Sequence, residues 1–534
     1  TEVNNKRAED IIKELENINK PISIVGIDEH DLKQEFAEIK QFWKLRAPKE
    51  MISIETIDHE NLLITFDHSL MVLKNGRPVW IKGKEIEEGD YVACFEKIVV
   101  ERKLHPSNII ELTRSFPPEI KKRVEFEFTP SFSKFIRRKR ENPIVPYHVI
   151  ERIWREKRRS LKLIEEHYRG VRVKPPVGTA KFHKIPFYFT TSLSYLLGLI
   201  IADGHLEEGR PKITLSIKPK FMVGTSNEYE EALKKLNQLL EEVLGEKIEK
   251  FLPGKSYACI NSTFLYWLAR SLGIPPGKKA SKIDISNIIL SQPDEIVKAF
   301  VAGLWDGDGC INKHPTANTI QVSYSSKSEV FIDKLRLLLK TFGMNSSKYF
   351  DKRDGKSWIR LTASGIENFR KEITPYLIIR QEKWQKLYQS YYGEASQKKI
   401  VCRYYAIPHI ANLVEKTRLE YNIPKQRLSK LIGVDLFNYF GKVDSGHKRN
   451  PFIQKLTLEK ISNFIDTNDL LFKKLATSPI IWKKVKKVKK VHYKKSFVYD
   501  LTTSTHTFLV NGIVSHNCTY HRTDSLNLSE LALE

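Results

Sequence analysis

Two aspartates, Asp203 and Asp308, stand near the ends of two similar stretches, "LLGLIIADG" (196–204) and "VAGLWDGDG" (301–309). Each stretch is apolar nearly all round, which predicts a buried helix. A carboxylate at a helix C-terminus opposes the helix dipole, and two such carboxylates repel each other if the helices pack side by side. A divalent cation relieves that repulsion. Hard oxygen ligands at an open, hydrated site suit Mg²⁺, and carboxylates that hold such ions assist in-line phosphodiester hydrolysis.

Two features of these stretches predict that the helices pack against each other. Each has small residues one turn apart, which allow a partner backbone to approach closely. Each aspartate is followed by a glycine, which suits the left-handed position that closes many helices. The small residues are Gly198 and Ala202 in the first stretch and Gly303 and Gly307 in the second, and the closing glycines are Gly204 and Gly309.

The two stretches open the copies of an internal repeat within residues 186–395. The first copy begins at Ser192 and the second at Ile296. Each copy continues with a strand-like run, an amphipathic helix, a hairpin and a closing helix, and Asp354-Gly355 is the hairpin turn of the second copy. The duplication predicts a pseudo-twofold pair of α/β units.

These motifs closely resemble those of the LAGLIDADG homing endonucleases, which cut long, nearly symmetric DNA sites with one acidic residue from each helix. The resemblance implies that Asp203 and Asp308 are the catalytic, metal-binding pair. It also implies Mg²⁺ as the cofactor and a long, asymmetric or pseudo-palindromic double-stranded DNA site as the partner. Inactivity of the nuclease, with DNA binding retained, is the alternative.

Family members often carry a further basic residue later in each unit. Lys279 lies 76 residues after Asp203, and Lys383 lies 75 residues after Asp308. These matched offsets make the two lysines catalytic candidates. The sixth position of the first motif is Ile201 where the second has Asp306, so we do not expect Asp306 to be a shared metal ligand.

The charge of the chain also indicates a polyanionic partner. The formal net charge is +25 and the pI is about 9.5, although a lysine-rich thermophilic composition would give a similar value. Between residues 134 and 174 there are 14 Lys and Arg but five Glu. Helical spacing places Arg155, Arg158 and Arg159 where they contact a phosphate backbone or simply face solvent. Residues 424–465 are typical of a helix-turn-helix or of any small helical bundle.

Both ends of the chain are predicted to be β-rich. Residues 51–95 and 479–516 alternate apolar and polar side chains, with turn signals at Asn75-Gly76, Gly89-Asp90 and Asn511-Gly512. The five cysteines form no C-x-x-C pair, and no apolar run is long enough for a bilayer. We therefore expect an intracellular monomer without a membrane partner.

The last β-rich segment, "FVYDLTTSTHTFLVNGIVSHNC", closely resembles the C-terminal splicing motifs of inteins, whose splicing domain has the Hint fold. The segment "LITFDHSLMV" matches the intein T-x-x-H block through Thr65 and His68. The resemblance covers most of residues 45–517. It implies an all-β splicing domain that is formed from both chain ends and that needs no cofactor.

The residue types at the end of this segment can break a peptide bond. The side-chain amide of Asn517 can attack its own backbone carbonyl, which forms a succinimide and releases Cys518. An amine leaves an amide poorly, so a nearby acid helps. His516 and His506 can each polarise or protonate that bond, and the sequence does not rank them. The thiol of Cys518 receives the upstream acyl chain.

The intein resemblance assigns three further residues. Asp500 is at the position that the family uses to assist early steps and to activate the thiol. Thr65 and His68 act on the upstream scissile peptide, His68 by protonating its departing nitrogen. Residues 1–50 contain no Cys, and Ser23 lies in no recognisable block. We therefore expect the first block to be missing from this chain or to lie on another chain, and complete splicing not to occur.

The segment "CTYHRTDS" that follows resembles the active-site segment of type IA DNA topoisomerases, which include the reverse gyrases. In those enzymes a tyrosine attacks DNA beside an arginine, and here these residues are Tyr520 and Arg522. The resemblance places a host protein after residue 517. It leaves one further alternative, a fragment of a working topoisomerase.

The predicted chain is multidomain, with an all-β Hint domain interrupted by an α/β (α+β) pseudo-twofold endonuclease and small helical DNA-binding regions. Its predicted partners are double-stranded DNA and the flanking segments of the host protein, which are called exteins. The predicted boundaries are 1–100 for the first part of the Hint domain (with 1–45 as an insertion and 5–20 helical), 101–185 for a basic DNA-recognition insertion, 186–395 for the endonuclease, 396–478 for the helical region, 479–517 for the second Hint part and 518–534 for the C-extein.

Overall fold

The computed structural model describes most of the chain between residues 23 and 527. The described ranges are 23–135, 143–156, 161–176, 178, 181–216, 226–245, 257–314, 319–392, 406–440, 452–465, 470–517 and 526–527. Several predicted features lie outside the described residues, namely the stretch 5–20, Arg158, Arg159, Cys518, Tyr520 and Arg522.

Seven strands open the described chain. They are β1 (Ser23–Asp28), β2 (Lys33–Arg46), β3 (Glu50–Thr56), β4 (Asn61–Ile64), β5 (Ser69–Lys74), β6 (Arg77–Lys82) and β7 (Tyr91–Phe95), with one 3₁₀ turn at Gly83–Glu85. Asn75 and Gly76 form the two-residue turn between β5 and β6, with φ values of 53° and 76°. Both values suit the primed turn that joins twisted antiparallel strands, so the hairpin predicted here is confirmed.

A mixed basic region follows. Its elements are α1 (Ile109–Thr113), α2 (Pro118–Lys121), β8 (Val124–Phe128), α3 (Pro130–Phe135), β9 (Ile144–Pro146), α4 (Tyr147–Glu156), α5 (Leu161–His167) and β10 (Tyr168–Val173). The three strands form one antiparallel sheet in the order β10-β8-β9. Their apolar residues share one continuous core with the repeat that follows.

The two copies of the repeat have matching elements. The first contains α6 (Thr191–Asp203), β11 (Gly204–Leu206), β12 (Ile213–Ser216), α7 (Ser226–Leu244), β13 (Tyr257–Ile260), α8 (Thr263–Ser271) and α9 (Asn287–Leu290). The second contains α10 (Asp294–Gly307), β14 (Cys310–Lys313), β15 (Ile320–Ser326), α11 (Glu329–Lys340), β16 (Ser346–Asp351), β17 (Lys356–Leu361), α12 (Ala363–Glu372), a 3₁₀ turn (Thr374–Tyr376) and α13 (Gln381–Tyr392).

A helical region and the last strands complete the described chain. They are β18 (Ala406–Ile407), α14 (Ala411–Glu420), α15 (Lys425–Ile432), α16 (Phe437–Phe440), β19 (Ile453–Gln454), α17 (Lys455–Ser462), α18 (Leu471–Thr477), β20 (Ile480–His492), β21 (Phe497–Thr503), β22 (Thr507–Val510), β23 (Ile513–His516) and β24 (Leu526–Asn527). None of the helices in the described ranges has the length and apolar character needed to cross a membrane.

Strands from both chain ends share one eight-stranded sheet. Its order is β22-β23-β5-β7-β20-β3-β4, and β6 pairs with β5. A second sheet joins β1, β2 and β21, and β24 pairs with β2. The segment before the T-x-x-H block, over residues 23–46, is therefore a hairpin that pairs with the C-terminal segment. The chain is multidomain. Segments before and after the insertion together form these two sheets, and the insertion contains the repeat.

Helices α6 and α10 pack backbone to backbone. A Cβ atom placed on Gly198 would lie 2.2 Å from the carbonyl oxygen of Phe300, and one on Gly303 would lie 2.1 Å from that of Tyr195. Real Cβ atoms do not tolerate such contacts, so glycine is required at both positions. The predicted close approach of the two helices is confirmed.

The prediction for the glycines that follow the two aspartates is wrong. Gly204 has φ −84° and ψ 157°, which is extended backbone, and Gly309 does not have positive φ either. The reason for glycine is steric. A Cβ atom on Gly204 would lie 2.6 Å from Ile200 Cα, and one on Gly309 would lie 2.6 Å from Trp305 Cα. The backbone turns back across the last turn of each helix before it enters the next strand.

A buried ionic cluster fixes the second copy of the repeat to the eight-stranded sheet. The carboxylate of Glu60, beside β4, lies 2.8 Å from Lys483 Nζ, 3.4 Å from the Arg336 guanidinium and 3.5 Å from Lys340 Nζ. Lys483 also lies 3.0 Å from Asp58. Burial alone would raise the pKa of Glu60, but the three cations hold it below its ordinary value. Arg336 and Lys340 belong to α11, so this contact joins the two parts of the molecule.

We expect Glu60→Gln to destabilise the protein by about 3–5 kcal/mol, because it leaves three buried cations with too few anions. The free energy of unfolding at neutral pH, measured in urea, tests this. The matched control is Glu55→Gln, which removes a partly exposed carboxylate that pairs with His59 and Lys486 and should cost less than about 1 kcal/mol. Equal losses in the two variants would contradict the role of the cluster.

Candidate active sites

The two acidic helix ends converge in the structure. Asp203 is the last residue of α6 and is half-buried, while Asp308 follows α10 and is exposed. A Cβ atom on Gly307 would lie 3.5 Å from Asp203 Oδ2, so the Asp203 carboxylate lies against the end of α10. Burial raises the pKa of Tyr324, and the charges of Asp308 and Asp203 both add to that shift. Both carboxylates therefore act on one group, the hydroxyl of Tyr324 on β15.

Lys279 closes the first helix. Its Nζ donates hydrogen bonds to the carbonyl oxygens of Ile200 (2.7 Å), Ile201 (2.5 Å) and Ala202 (2.9 Å) at the end of α6. An ammonium group there offsets the negative end of the helix dipole. Burial lowers the pKa of Lys279 to about 8, while the charges of Asp308 and Asp203 act in the opposite direction. Lys279 therefore lies within the field of both carboxylates.

Arg380 closes the second helix in the corresponding way. Its guanidinium donates to the carbonyl oxygens of Gly307 (2.8 Å) and Asp306 (3.3 Å) at the end of α10. Lys383 lies elsewhere, and its Nζ donates to Asn312 Oδ1 at 2.7 Å. The structural counterpart of Lys279 is therefore Arg380, which the sequence offsets missed because they paired lysine with lysine.

Asp306 is a buried structural carboxylate. It accepts hydrogen bonds from Tyr195 Oη (2.7 Å) and from the backbone N–H groups of Ile378 (2.7 Å), Ile379 (2.9 Å) and Arg380 (2.8 Å). Burial raises its pKa, and these hydrogen bonds act in the opposite direction. Its oxygens are thus engaged in holding the segment that carries Arg380, which agrees with the expectation that it is not a shared metal ligand.

The acidic pair fits a hydrated divalent cation. Within the described part of the chain, no group of three or more His, Cys, Asp or Glu side chains is arranged to hold a metal. Asp203 and Asp308 supply two hard oxygen donors at a site with one exposed side, which leaves room for water and substrate oxygens. Mg²⁺ binds proteins in this manner, through few carboxylates and several waters.

One face of the second-copy sheet, in the order β14-β15-β17-β16, carries a group of polar and aromatic side chains. The rings of Tyr349 and Trp358 are nearly parallel, with centroids 6.1 Å apart and planes 6° apart. The Arg360 guanidinium lies 5.5 Å from the centroid of Tyr349. Arg360 Nε and Trp358 Nε1 have no hydrogen-bond partner among the described residues. The side chains of Tyr349, Trp358 and Arg360 are therefore half-buried on this face, and the two unpaired N–H groups are covered by neighbouring atoms.

The predicted phosphate-binding helix is described only in part. Arg155 lies near the end of α4, is exposed, and its guanidinium is 2.8 Å from Glu151 four residues earlier. Glu151 also pairs with Arg114, whose guanidinium lies 4.2 Å above the ring of Trp154. The role of Arg155 at DNA stays a prediction.

A second site lies where β23 ends. The antiparallel register pairs Ser515 with Leu70, which places residue 517 beside residue 68. His516 Nδ1 lies 2.7 Å from the backbone carbonyl oxygen of Asn517, the carbonyl of the predicted scissile bond. His506 instead accepts a hydrogen bond through its backbone oxygen from Asn517 N at 2.8 Å. The structure thus separates the two histidines that the sequence left unranked.

The side chain of Asn517 is buried and fully hydrogen-bonded. The hydrogen-bond network favours the orientation in which Nδ2 donates to the carbonyl oxygens of His506 (3.1 Å) and Leu501 (3.0 Å). In that orientation Oδ1 accepts from Thr503 N at 3.1 Å. Carbonyl acceptors on both N–H groups increase the electron density of the amide nitrogen, which favours its action as a nucleophile.

The T-x-x-H residues reach the same end of the sheet. The backbone N–H of His68 donates to the carbonyl oxygen of Thr65 at 3.3 Å, which forms a turn between β4 and β5. Burial lowers the pKa of His68, the charge of Asp500 opposes this, and His516 adds to the lowering. Asp500 is buried on β21, and its Oδ1 accepts from Leu501 N at 2.8 Å. The catalytic roles of Thr65, His68 and Asp500 stay predictions.

Comparison with known proteins gives matches over nearly the whole chain. A family model described as the intein splicing domain matches residues 2–517. A reverse gyrase of Methanocaldococcus jannaschii is 25% identical over 535 residues, which are 98% of this chain and 30% of that protein. A probable translation initiation factor IF-2 of the same organism is 26% identical over 557 residues, which are 94% of this chain and 45% of that protein.

The chain therefore spans less than half the length of these two curated relatives. Among solved structures, it is similar to mesophilic variants of the homing endonuclease I-DmoI. That similarity has a TM-score of 0.27 and 18% identity, and it covers 36% of this chain and 98% of that chain.

Proposed function

We propose, because this chain belongs to the intein splicing family, that it catalyses the C-terminal step of splicing, cleavage of the bond between residues 517 and 518, and that a separate site in the chain cuts DNA. The observation that carries the splicing proposal is the 2.7 Å contact between His516 Nδ1 and the carbonyl oxygen of Asn517. A hydrogen bond to that oxygen stabilises the negative charge that develops when the carbonyl carbon is attacked. The convergence of Asp203 and Asp308 carries the nuclease proposal.

The C-terminal reaction balances within the chain. Asn517 Nδ2 attacks the Asn517 carbonyl carbon, a C–N bond forms and closes a succinimide, and the bond from that carbon to the Cys518 nitrogen breaks. One proton leaves the amide nitrogen, and one proton reaches the departing nitrogen, which becomes a free α-amine. His516 donates to the carbonyl oxygen during the attack, and its imidazole is proposed to move the proton.

The splicing domain is proposed to have the Hint fold, formed from both chain ends. Support comes from the eight-stranded sheet, in which β3–β7 are combined with β20, β22 and β23. Thr65 and His68 are proposed to act on the upstream scissile peptide, Asp500 to assist early steps, and Cys518 to accept the acyl chain. These roles follow from the family pattern and the shared location of His68, Asp500 and His516.

The host is proposed to be a reverse gyrase or another type IA topoisomerase. The relatives that match nearly the whole chain include proteins named for unrelated activities, a reverse gyrase and a translation initiation factor. A shared insert explains that pattern better than a shared host activity. Tyr520 and Arg522, in the segment after Asn517, then belong to the active site of the host.

The nuclease is proposed to be a LAGLIDADG endonuclease that requires a divalent metal, Mg²⁺. Asp203 and Asp308 would hold it, and when bound it would stabilise charge on the phosphodiester during hydrolysis. Lys279 and Arg380 position the two acidic helix ends through their terminal carbonyls. The sheet face around Tyr349 would contact the DNA. The test is Mg²⁺-dependent double-strand cutting of a plasmid that carries the uninterrupted host gene; binding without cutting would favour an inactive nuclease.

We expect Lys279→Met to slow DNA cutting by about 10²-fold or more, because it removes the cation that acts on both carboxylates. Lys383→Met should slow cutting less than tenfold, since the Lys383 ammonium group donates to Asn312 and neither Asp203 nor Asp308 contributes to its pKa shift. Single-turnover cleavage of the same DNA measures both rates. Lys383→Met is the matched control for Lys279→Met, because both variants replace a lysine by the same residue. A larger loss of cutting rate in Lys383→Met than in Lys279→Met would mean that Lys383, and not Lys279, is the catalytic lysine.

A further inference from the structure

The ring of His516 lies between the scissile carbonyl oxygen of Asn517 and the carboxylate of Glu29. Its Nδ1 lies 2.7 Å from the scissile carbonyl oxygen, so Nδ1 must carry a proton for that contact to be a hydrogen bond. Its Nε2 lies 4.0 Å from Glu29 Oε1, in the turn between β1 and β2. One ring nitrogen therefore faces the scissile carbonyl, and the other faces a carboxylate.

Trp80 holds Glu29 in this position. The indole Nε1 donates a hydrogen bond to Glu29 Oε2 at 3.0 Å, which leaves Oε1 directed to the histidine. The edge of the Trp80 ring also packs on His516, with ring centroids 5.0 Å apart and an interplanar angle of 70°. One side chain thus fixes both the carboxylate and the imidazole.

The other titratable groups near His516 do not supply a negative charge of this kind. His506 stacks beside it, with ring centroids 6.3 Å apart, and His68 repels its positive form. Asp500 lies on β21 and acts on His68. Among the described residues, Glu29 is the carboxylate within 4.0 Å of the His516 ring.

We propose that Glu29, held by Trp80, is a positioning residue for C-terminal cleavage that keeps His516 protonated and directed at the Asn517 carbonyl. This rests on the proposed splicing function. Glu29 does not touch the reacting atoms. It acts through His516, as a carboxylate does when it orients a catalytic histidine from the far side of the ring. The hairpin β1–β2 thereby contributes to a site that is otherwise built from the T-x-x-H turn and the C-terminal strands.

The test is the pH profile of C-terminal cleavage in the full chain, followed by mass spectrometry. We expect Glu29→Gln to move the alkaline fall of the rate to lower pH by about half a unit to one unit, since loss of a partly exposed carboxylate at this distance has a modest effect. The rate should then be about three- to tenfold lower above both midpoints and unchanged below them. High salt should reduce the difference. Trp80→Phe should give a smaller shift in the same direction.

The matched control is Glu38→Gln, which removes an exposed carboxylate of the same hairpin that pairs with Lys40 and should leave the profile unchanged. A second measurement does not depend on cleavage. In the Asn517→Ala background, the NMR titration of the His516 ring should move to lower pH when Glu29→Gln is added. Unchanged profiles and titrations would overturn the role of Glu29. Cleavage that persists in Asn517→Ala alone would instead overturn the splicing proposal.

Discussion

Asp203→Asn and Asp308→Asn are each expected to reduce double-strand DNA cutting by at least about 10³-fold, with DNA binding largely retained. Each helix end contributes one hard oxygen donor, and an amide binds a divalent cation far less well than a carboxylate. The two charges also converge on Tyr324 and Lys279, so the loss of either one alters the same site. Supercoiled plasmid carrying the uninterrupted host site, incubated with Mg²⁺, measures the rate.

The matched control for these variants is Asp294→Asn. Asp294 is the first residue of α10, at the opposite end from Asp308, and it pairs with Arg102. Its loss should leave the cutting rate unchanged within about twofold, although it lowers stability because the buried Arg102 guanidinium loses its carboxylate partner. Wild-type cutting by both Asp203→Asn and Asp308→Asn would remove the acidic pair from the active site.

Asn517→Ala is expected to stop cleavage at the 517–518 bond completely, because the methyl side chain has no nucleophile. The other requirements are in place within the described chain: a buried amide with bonded N–H groups and a histidine 2.7 Å from the carbonyl oxygen. Incubation at moderate heat, followed by mass spectrometry for a peptide of residues 518–534, measures the reaction. DNA cutting by the same variant should be unchanged.

The two histidines should differ in the same assay. His516→Ala is expected to slow cleavage by about 10²-fold, since it removes the donor to the carbonyl oxygen. His506→Ala should have the smaller effect, because His506 contacts Asn517 through its backbone oxygen, which alanine retains. A larger loss in His506→Ala would mean that the proton comes from that ring.

The features that the sequence determined are local in the chain. The asparagine-glycine turn at Asn511 follows from the backbone preferences of two adjacent residues, and the predicted hairpin forms there. The approach of α6 and α10 follows from small residues spaced one helical turn apart, Gly198 and Ala202 in α6 and Gly303 and Gly307 in α10. The chemistry of His516 and Asn517 follows from residue types that are neighbours in sequence. In each case the feature depends on residues that are close together in the chain, so it can be predicted from a single sequence.

The prediction for Gly204 and Gly309 was wrong because it lacked the path of the backbone after each helix, which is a feature of the tertiary structure. Both glycines are needed because a strand turns back over the helix end, and only the folded path shows that crowding. Sequence spacing also could not identify Arg380 as the counterpart of Lys279. The arginine reaches α10 because Asp306 binds the segment that carries it, a contact between residues 74 positions apart.

Tertiary structure alone decided how the distant groups act together. Glu60, Lys483 and Lys340 come from three separate segments, and no pattern in any one of them predicts a buried ionic cluster. Glu29 and His516 are likewise brought together by the pairing of β2 with β21 and of β1 with the residues around β22. The sequence identified the groups that can do chemistry because that depends on residue type. It could not give their protonation partners, because electrostatic interactions depend on distances that only the folded chain sets.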